Sequence, residues 1–393
     1  SREGWISARE NVYSSSGSSD FSLTFSASGS VSRTDIGSGF KSSDTHSNKI
    51  SLSKNIYDFG KVKQNTELAE INLNRAYANY KNIEQSVILE TSSAHLNLIK
   101  SRRELELKKE NKQRLSARIS AAKLQVSEGT ETPTGLAQAV ARYSRAEADE
   151  ILAITILENA EDLFQKLTGI DKAGMSEISG LPMLKQELPG SVAEAATKAS
   201  KNNPTVLLAI ASEKAAAQTI VTTKTSQSPD ISLSLSGTES KTSDSMSVSL
   251  SFSSSLYESG SAAANARRAV SDHSKARIDL DEARAQAEFE ARSAFREWRA
   301  AIIALEAVKS EIEASRLAAE GIRNEVKFGL KTSLDLLDAE KNVKDVEIRL
   351  INAEHKKLIA ELELSAAVGT LNPKNLGLKY NYHDFNSLPR PKN

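Results

Sequence analysis

The chain has 393 residues, of which 39% are hydrophobic and 5% aromatic, thin material for a globular core of that length. Its 51 lysines and arginines cancel its 51 aspartates and glutamates, which argues against nucleic acid or an anionic membrane surface as partner and fits long solvated helix faces. With no cysteine, disulfides, thiolate metal sites and a cysteine nucleophile are excluded, and no run of about 18 apolar residues offers a membrane-spanning helix.

In chain order, SREGWISAREN reads as the tail of a helix, with no signal peptide before it. By comparison with the second half of the chain, about twenty residues of that helix are expected upstream. FSLTFSASGSVS then alternates Phe21, Leu23, Phe25 and Ala27 with Ser22, Thr24, Ser26 and Ser28, placing apolar groups on one strand face and hydroxyls on the other. A loop rich in Ser, Gly and Asp should lead to the partner strand in NKISLSKNIYDFG, a hairpin over about residues 20–59. From Lys61 to Glu128 there is neither Gly nor Pro, enough for a helix about 100 Å long. Tyr80, Ile83 and Val87 fall at three and four spacing among Ala, Glu, Lys and Arg, a narrow coiled-coil-like seam. Gly129 can close this helix in the left-handed conformation, and Thr132 before Pro133 can cap a return helix over 133–168. The return helix ends at Gly169 and covers about 50 Å. After a Gly- and Pro-rich connector, residues 191–226 read as a helix broken at NNP, which could flank the remaining half.

The plan then repeats. DISLSLSG and SMSVSLSF form a hairpin over about 230–259, with Met246, Val248, Leu250 and Phe252 opposite an unbroken row of serines. Ser261 to Phe328 holds only Gly321, and Phe295, Trp298, Ile302 and Leu305 follow helical spacing, reading as seam packing rather than a ligand box. Gly329, Thr332 and Ser333 rebuild the turn before a return helix over 333–368, and an irregular tail follows. IYDFG at 56–60 returns as LYESG at 256–260, Leu136 as Leu336, Ala139 as Ala339 and Gly169 as Gly369, each 200 residues on. The chain therefore divides into a first repeat (1–170), a connector with the broken helix (171–228), a second repeat (229–370) and a tail (371–393). Strands of this length can cross a bilayer obliquely, but four cannot close a barrel, and an open edge in lipid leaves backbone groups unpaired. Two copies would give a filled eight-stranded barrel, and three a twelve-stranded one with room for an aqueous lumen.

The duplicated plan, the YDFG and YESG junctions, VSEGTETPTGLAQAVARYSRAEA, and FGLKTSLDLLDAEKNVKDVEIRLINAEHKKLIAELELSAAVGTLN together resemble the TolC family of outer-membrane channel-tunnels over nearly the whole chain. The resemblance implies a mainly α fold with a membrane β-barrel: a homotrimer whose four strands per chain build one barrel in the outer membrane, continuous with an α-helical tunnel in the periplasm. It implies a passive exit duct for drug efflux or type I secretion, with a periplasmic adaptor and an inner-membrane transporter as partners and outer-membrane lipid around the barrel.

It also implies that the matching basic residue and two acids, Lys331, Asp335 and Asp338, narrow the periplasmic entrance, and that the turn tips at Gly129, Thr132, Gly329 and Thr332 contact the adaptor. Two readings of the acids stand side by side. Three copies would gather six carboxylates around an axis and focus a field that attracts cations. TSLD also reads as a capping box, and acids in a first turn stabilise the helix dipole. The chain departs from the family at Gly135, where an aspartate is common, at Lys331 in place of arginine, and at Val326 in place of an aromatic.

Enzyme chemistry has little support. His46, His95, His273, His355 and His383 are scattered outside any zinc-binding helix pattern, and no phosphate-cradling glycine loop occurs, so no cofactor is expected. The competing reading is a periplasmic coiled-coil scaffold or adaptor without its own pore.

Overall fold

The computed structural model describes residues 2–377 apart from 19, 36, 38, 131, 176–187 and 256–258. Most of the connector, the tail beyond 377 and the first three residues of LYESG lie outside the described residues. In chain order the elements are α1 (Arg2–Gly17), β1 (Phe21–Asp35), β2 (Phe40–Tyr57), α2 (Lys61–Ser127), α3 (Pro133–Thr168), α4 (Lys172–Met175), α5 (Val192–Asn202), α6 (Pro204–Thr225), β3 (Asp230–Ser240), β4 (Asp244–Ser253), α7 (Ser261–Lys327) and α8 (Ser333–Ala367). Among the described residues no helix is long and apolar enough to cross a membrane. The chain falls into two compact units, Ser1–Ile83 with Pro204–Arg284, and Glu84–Asn203 with Ala285–Asn393.

The first unit holds one antiparallel sheet in the order β1-β2-β3-β4. Directly opposed residues share a face, so the register collects apolar side chains into rows. Leu23 faces Leu52, which faces Leu235, which faces Val248; Phe25, Ile50, Gly237 and Met246 form the next row. Ile231 with Phe252 begins this band and Gly237 with Met246 ends it, about 20 Å along the strand. Beyond it the same face turns polar in the row Ala27, Asn48, Glu239, Asp244, where Asn48 Nδ2 donates to Glu239.

The opposite face is a ladder of hydroxyls. Ser22 and Ser53 meet at 2.7 Å, Thr24 and Ser51 at 2.6 Å, and Ser236 and Ser247 at 2.9 Å. Such cross-strand pairs replace water at each hydroxyl and hold the register.

Among the described residues the apolar face is largely uncovered: Leu23 is 67% exposed, Val248 71% and Met246 78%. A sheet of a soluble protein buries that face. Here it is the outer surface, and β1 and β4 each leave one edge unpaired.

The Ser, Gly and Asp stretch read as a loop is instead strand. β1 runs to Asp35 and β2 starts at Phe40, with Gly29 opposite His46 and Asp35 opposite Phe40. Ladder hydrogen bonding to a partner in register outweighs the weak strand preference of Gly, Ser and Asp, and Arg33 stacks 4.3 Å over the Phe40 ring near the tip.

The strand-to-helix junctions share one backbone solution. Phe59 and Gly60 take φ of 53° and 88°, and Ser259 and Gly260 take 49° and 81°. Two consecutive left-handed residues are costly for the non-glycine member, and the Asp58 carboxylate offsets this by accepting from the amides of Gly60 and Val62 at the α2 N-terminus. Tyr57 and Phe59 pack edge to face at 4.6 Å there. In the same unit α6 is pinned to both long helices: Gln218 donates to Gln64 of α2 at 2.8 Å, and Glu213 bonds His273 of α7 at 2.7 Å.

The second unit is helical, and its seams are narrow. On α2, Ala94, Leu98, Ser101 and Leu105 are buried, an alternation of four and three residues that keeps one coiled-coil stripe inward. Ala139, Ala146 and Ala153 recur at every seventh residue of α3 and are all buried. Small side chains at such positions bring helices close and leave little core, in line with the low aromatic content. Leu98 packs with Phe164 and Met175 in one cluster, while Leu96 packs with Leu362 and Leu371 in another, so α2 is clasped by α3 and α8. Ion pairs flank these seams, among them Lys108 with Asp149 and Arg103 with Glu354. Phe295 and Trp298, one turn apart on α7, meet edge to face at 5.6 Å.

The end of α8 is fixed tightly. The Gln85 and Asn203 side-chain amides donate to the carbonyls of Ala366 and Ala367 in the last turn. Gly369 then turns with φ 75°, and a Cβ there would stand 2.3 Å from the Asn202 carbonyl oxygen.

Candidate pore-mouth site

The two helix reversals of the second unit are built alike. Gly129 has φ 72° and Gly329 φ 75°. In each, the following amide reaches back five residues, Thr130 to the Gln125 carbonyl and Leu330 to the Glu325 carbonyl, both at 2.9 Å, the glycine-closed helix end that a left-handed residue permits. Thr132 and Thr332 are extended and cap the return helices, accepting from the amides of Gly135 at 3.1 Å and Asp335 at 3.2 Å.

The turns differ in what they present. At the second, Phe328 is 81% and Leu330 74% exposed. The equivalent places in the first hold Glu128 and Thr130.

Each sequence-predicted residue has a distinct setting. Asp335 is engaged locally: its Oδ2 accepts from the Thr332 amide at 2.9 Å and from the Thr332 hydroxyl at 2.7 Å, completing the capping box. These bonds, helped by the Lys331 charge, hold its carboxyl below the usual aspartate value. Lys331 is exposed and forms no hydrogen bond or ion pair among the described residues.

Asp338 is committed elsewhere. Its Oδ1 pairs with Arg142 Nη2 of α3 at 2.5 Å, a charge-assisted bond joining the return helix of the first repeat to that of the second. Arg142 is the functional candidate that sequence reasoning missed. Its only advance signal was its position one helical turn beyond Gln138, the residue matching Asp338 in the other repeat.

Paired with Arg142, Asp338 ties the two return helices together. No group of three or more metal-ligating side chains gathers among the described residues.

Comparison with known proteins agrees with this architecture. A family profile described as outer membrane efflux protein matches residues 7–169 and 195–370. The outer membrane efflux protein BepC of Brucella suis is 25% identical over 338 residues, 84% of this chain and 73% of that protein. The outer membrane protein TolC of Escherichia coli is 24% identical over 353 residues, 85% of this chain and 71% of its own length. Among solved structures, the CmeC outer membrane channel of Campylobacter jejuni superposes with a TM-score of 0.79 at 16% identity, covering 93% of this chain and 81% of that one. VceC of Vibrio cholerae gives 0.75 at 17% identity, covering 94% and 91%. With the profile spanning both repeats, the chain belongs to the outer membrane efflux protein family and is an exit duct of the bacterial outer membrane rather than a pore-less periplasmic scaffold.

Proposed function

We propose that three copies of the chain close their sheets into one twelve-stranded barrel and carry cargo passively outward, supplied by an inner-membrane transporter through a periplasmic adaptor. The carrying observation is the sheet itself: an apolar band uncovered on one face, hydroxyl rows on the other, and two edges without partners. Lipid would satisfy the first, a water-filled lumen the second, and neighbouring copies the third. Small-molecule efflux and protein secretion both fit a lumen lined by serine and threonine, and the cargo follows from the transporter.

At the other end we assign the entrance to Lys331, Asp335 and Asp338, with the tips at Gly129, Thr132, Gly329 and Thr332 offered to the adaptor. The apolar Phe328 and Leu330 favour the second tip as the stickier of the two. The Arg142–Asp338 pair supports a closed entrance: it ties α3 to α8 within a subunit, and opening would separate them.

Single-channel recording in planar bilayers tests both parts. The purified oligomer should insert and give long-lived conductance steps. Arg142→Ala should enlarge the steps, and Asp335→Asn with Asp338→Asn should weaken block by trivalent cations about tenfold or more, since two of the charges per subunit that attract them are gone. Failure of the oligomer to insert would remove the duct; insertion with conductance and block unchanged in all variants would remove the entrance assignment alone.

A further inference from the structure

The faces of α2, α3 and α8 just inside the turns diverge to leave a groove of about 790 Å³ within the second unit. On α2 it runs from Leu107 to Ala121, about 21 Å at 1.5 Å per residue. Its volume lies within the range of small-molecule sites, about 300–1,000 Å³.

Its lining is amphipathic in an ordered way. Leu107, Leu115, Leu337 and Ile348 supply an apolar strip. Around them stand seven lysines and arginines against four aspartates and glutamates, and Glu110 and Glu347, outside the lining, pair with Arg114 and Lys344. The four acids are all taken: Asp149 by Lys108, Asp338 by Arg142, Glu340 by Arg323 and Asp345 by Lys341. Arg145 forms no ion pair or hydrogen bond among the described residues. A guanidinium at the rim of an apolar strip matches a carboxylate or sulfonate, which it can grip with two parallel bonds.

We propose that this groove binds an amphiphilic organic anion, its apolar body along Leu107, Leu115, Leu337 and Ile348 and its acidic head at Arg145. The site is separate from the Asp335 cap and adjoins the Arg142–Asp338 tie, since Arg142 and Asp338 both border the groove. It gives the duct a ligand site distinct from passive passage, and it does not depend on how the entrance opens.

The test is photolabelling of the full-length chain, reconstituted as its oligomer in lipid nanodiscs, with benzophenone-4-carboxylate. Its cationic counterpart, 4-(aminomethyl)benzophenone, serves as control. Adducts from the anion should concentrate on peptides covering 107–121 and 337–348 and be competed by octanesulfonate. Arg145→Glu should weaken labelling about tenfold, a change near 1.4 kcal/mol, while Arg145→Lys keeps most of it. Ala117→Trp, which fills the groove from an exposed position on its wall, should abolish labelling without touching any charge, and it carries the test alone should Arg145→Glu fail to assemble. Equal labelling by the cationic probe, adducts insensitive to these variants, or a groove left unlabelled because a neighbouring subunit or an adaptor helix occupies it would each overturn the proposal.

Discussion

Gly169 and Gly369 occupy equivalent places in the two repeats and share a left-handed backbone, with φ of 73° and 75°, yet their surroundings separate them. Nothing lies within 4 Å of a Cβ added at Gly169, whereas at Gly369 that atom would meet the Asn202 carbonyl carbon at 2.5 Å. Gly169→Ala should therefore cost only the left-handed strain, about 1–2 kcal/mol. Gly369→Ala adds a backbone clash and should cost more than about 3 kcal/mol, read as a lower melting midpoint of the helical circular dichroism; equal shifts would contradict the close approach. A second residue-scale contrast is His95, half-buried against Phe164 with its Nε2 lacking a partner. Burial, and next the charge of Arg102, lower its pKa below 6.5. The unfolded chain then binds a proton more readily than the folded one, so the stability contributed by the neutral ring is complete above about pH 6.5 and is lost as pH falls through the lowered value. The second repeat carries Phe295 at the matching position. His95→Phe should flatten the dependence of the melting midpoint on pH below 6.5; an unchanged slope would place the acid sensitivity elsewhere, with His355, lowered by burial and Lys100, the next residue to replace.

At the scale of elements, the long helices were the most legible feature, because neither 67-residue run contains a helix-weakening residue except Gly321, which sits within two turns of the end of α7 with no neighbour near its missing Cβ. The turns were legible for a related reason: glycine and threonine act through local backbone chemistry that sequence reports directly. What escaped was set by partners distant in sequence. Residues 29–35 and 40–47 look like loop, yet the ladder between them makes strand. Arg142 meets Asp338 across 196 residues, a pairing no local pattern announces, and the groove exists only because three helices face one another. The seams also predict how the helices fail. Leu98 is fully buried where α2 meets Phe164 and Met175, so Leu98→Ala should cost about 2–5 kcal/mol, visible in denaturant titration of the helical signal. A loss under about 1 kcal/mol would mean the seam collapses around the cavity or is not a principal contact.

On the scale of the whole molecule, the sheet explains why composition looked so poor in core material. Side chains such as Phe21, Phe25 and Leu250 are spent on an outward face, between 67% and 71% exposed in the single chain, and the helices economise with alanine. The outward apolar face fits the proposed assembly, in which lipid covers the band and copies of the chain cover the edges. The absence of native cysteine makes the central claim directly measurable with single spin labels in liposomes. Labels at Leu23→Cys, Leu235→Cys and Val248→Cys should be accessible to oxygen and shielded from a water-soluble nickel chelate, while those at Ser234→Cys and Ser249→Cys, which pair with each other across β3 and β4, should show the reverse. If both sets are equally open to the nickel chelate, or the leucine set is buried from oxygen and nickel alike, the sheet does not face hydrocarbon and the account fails.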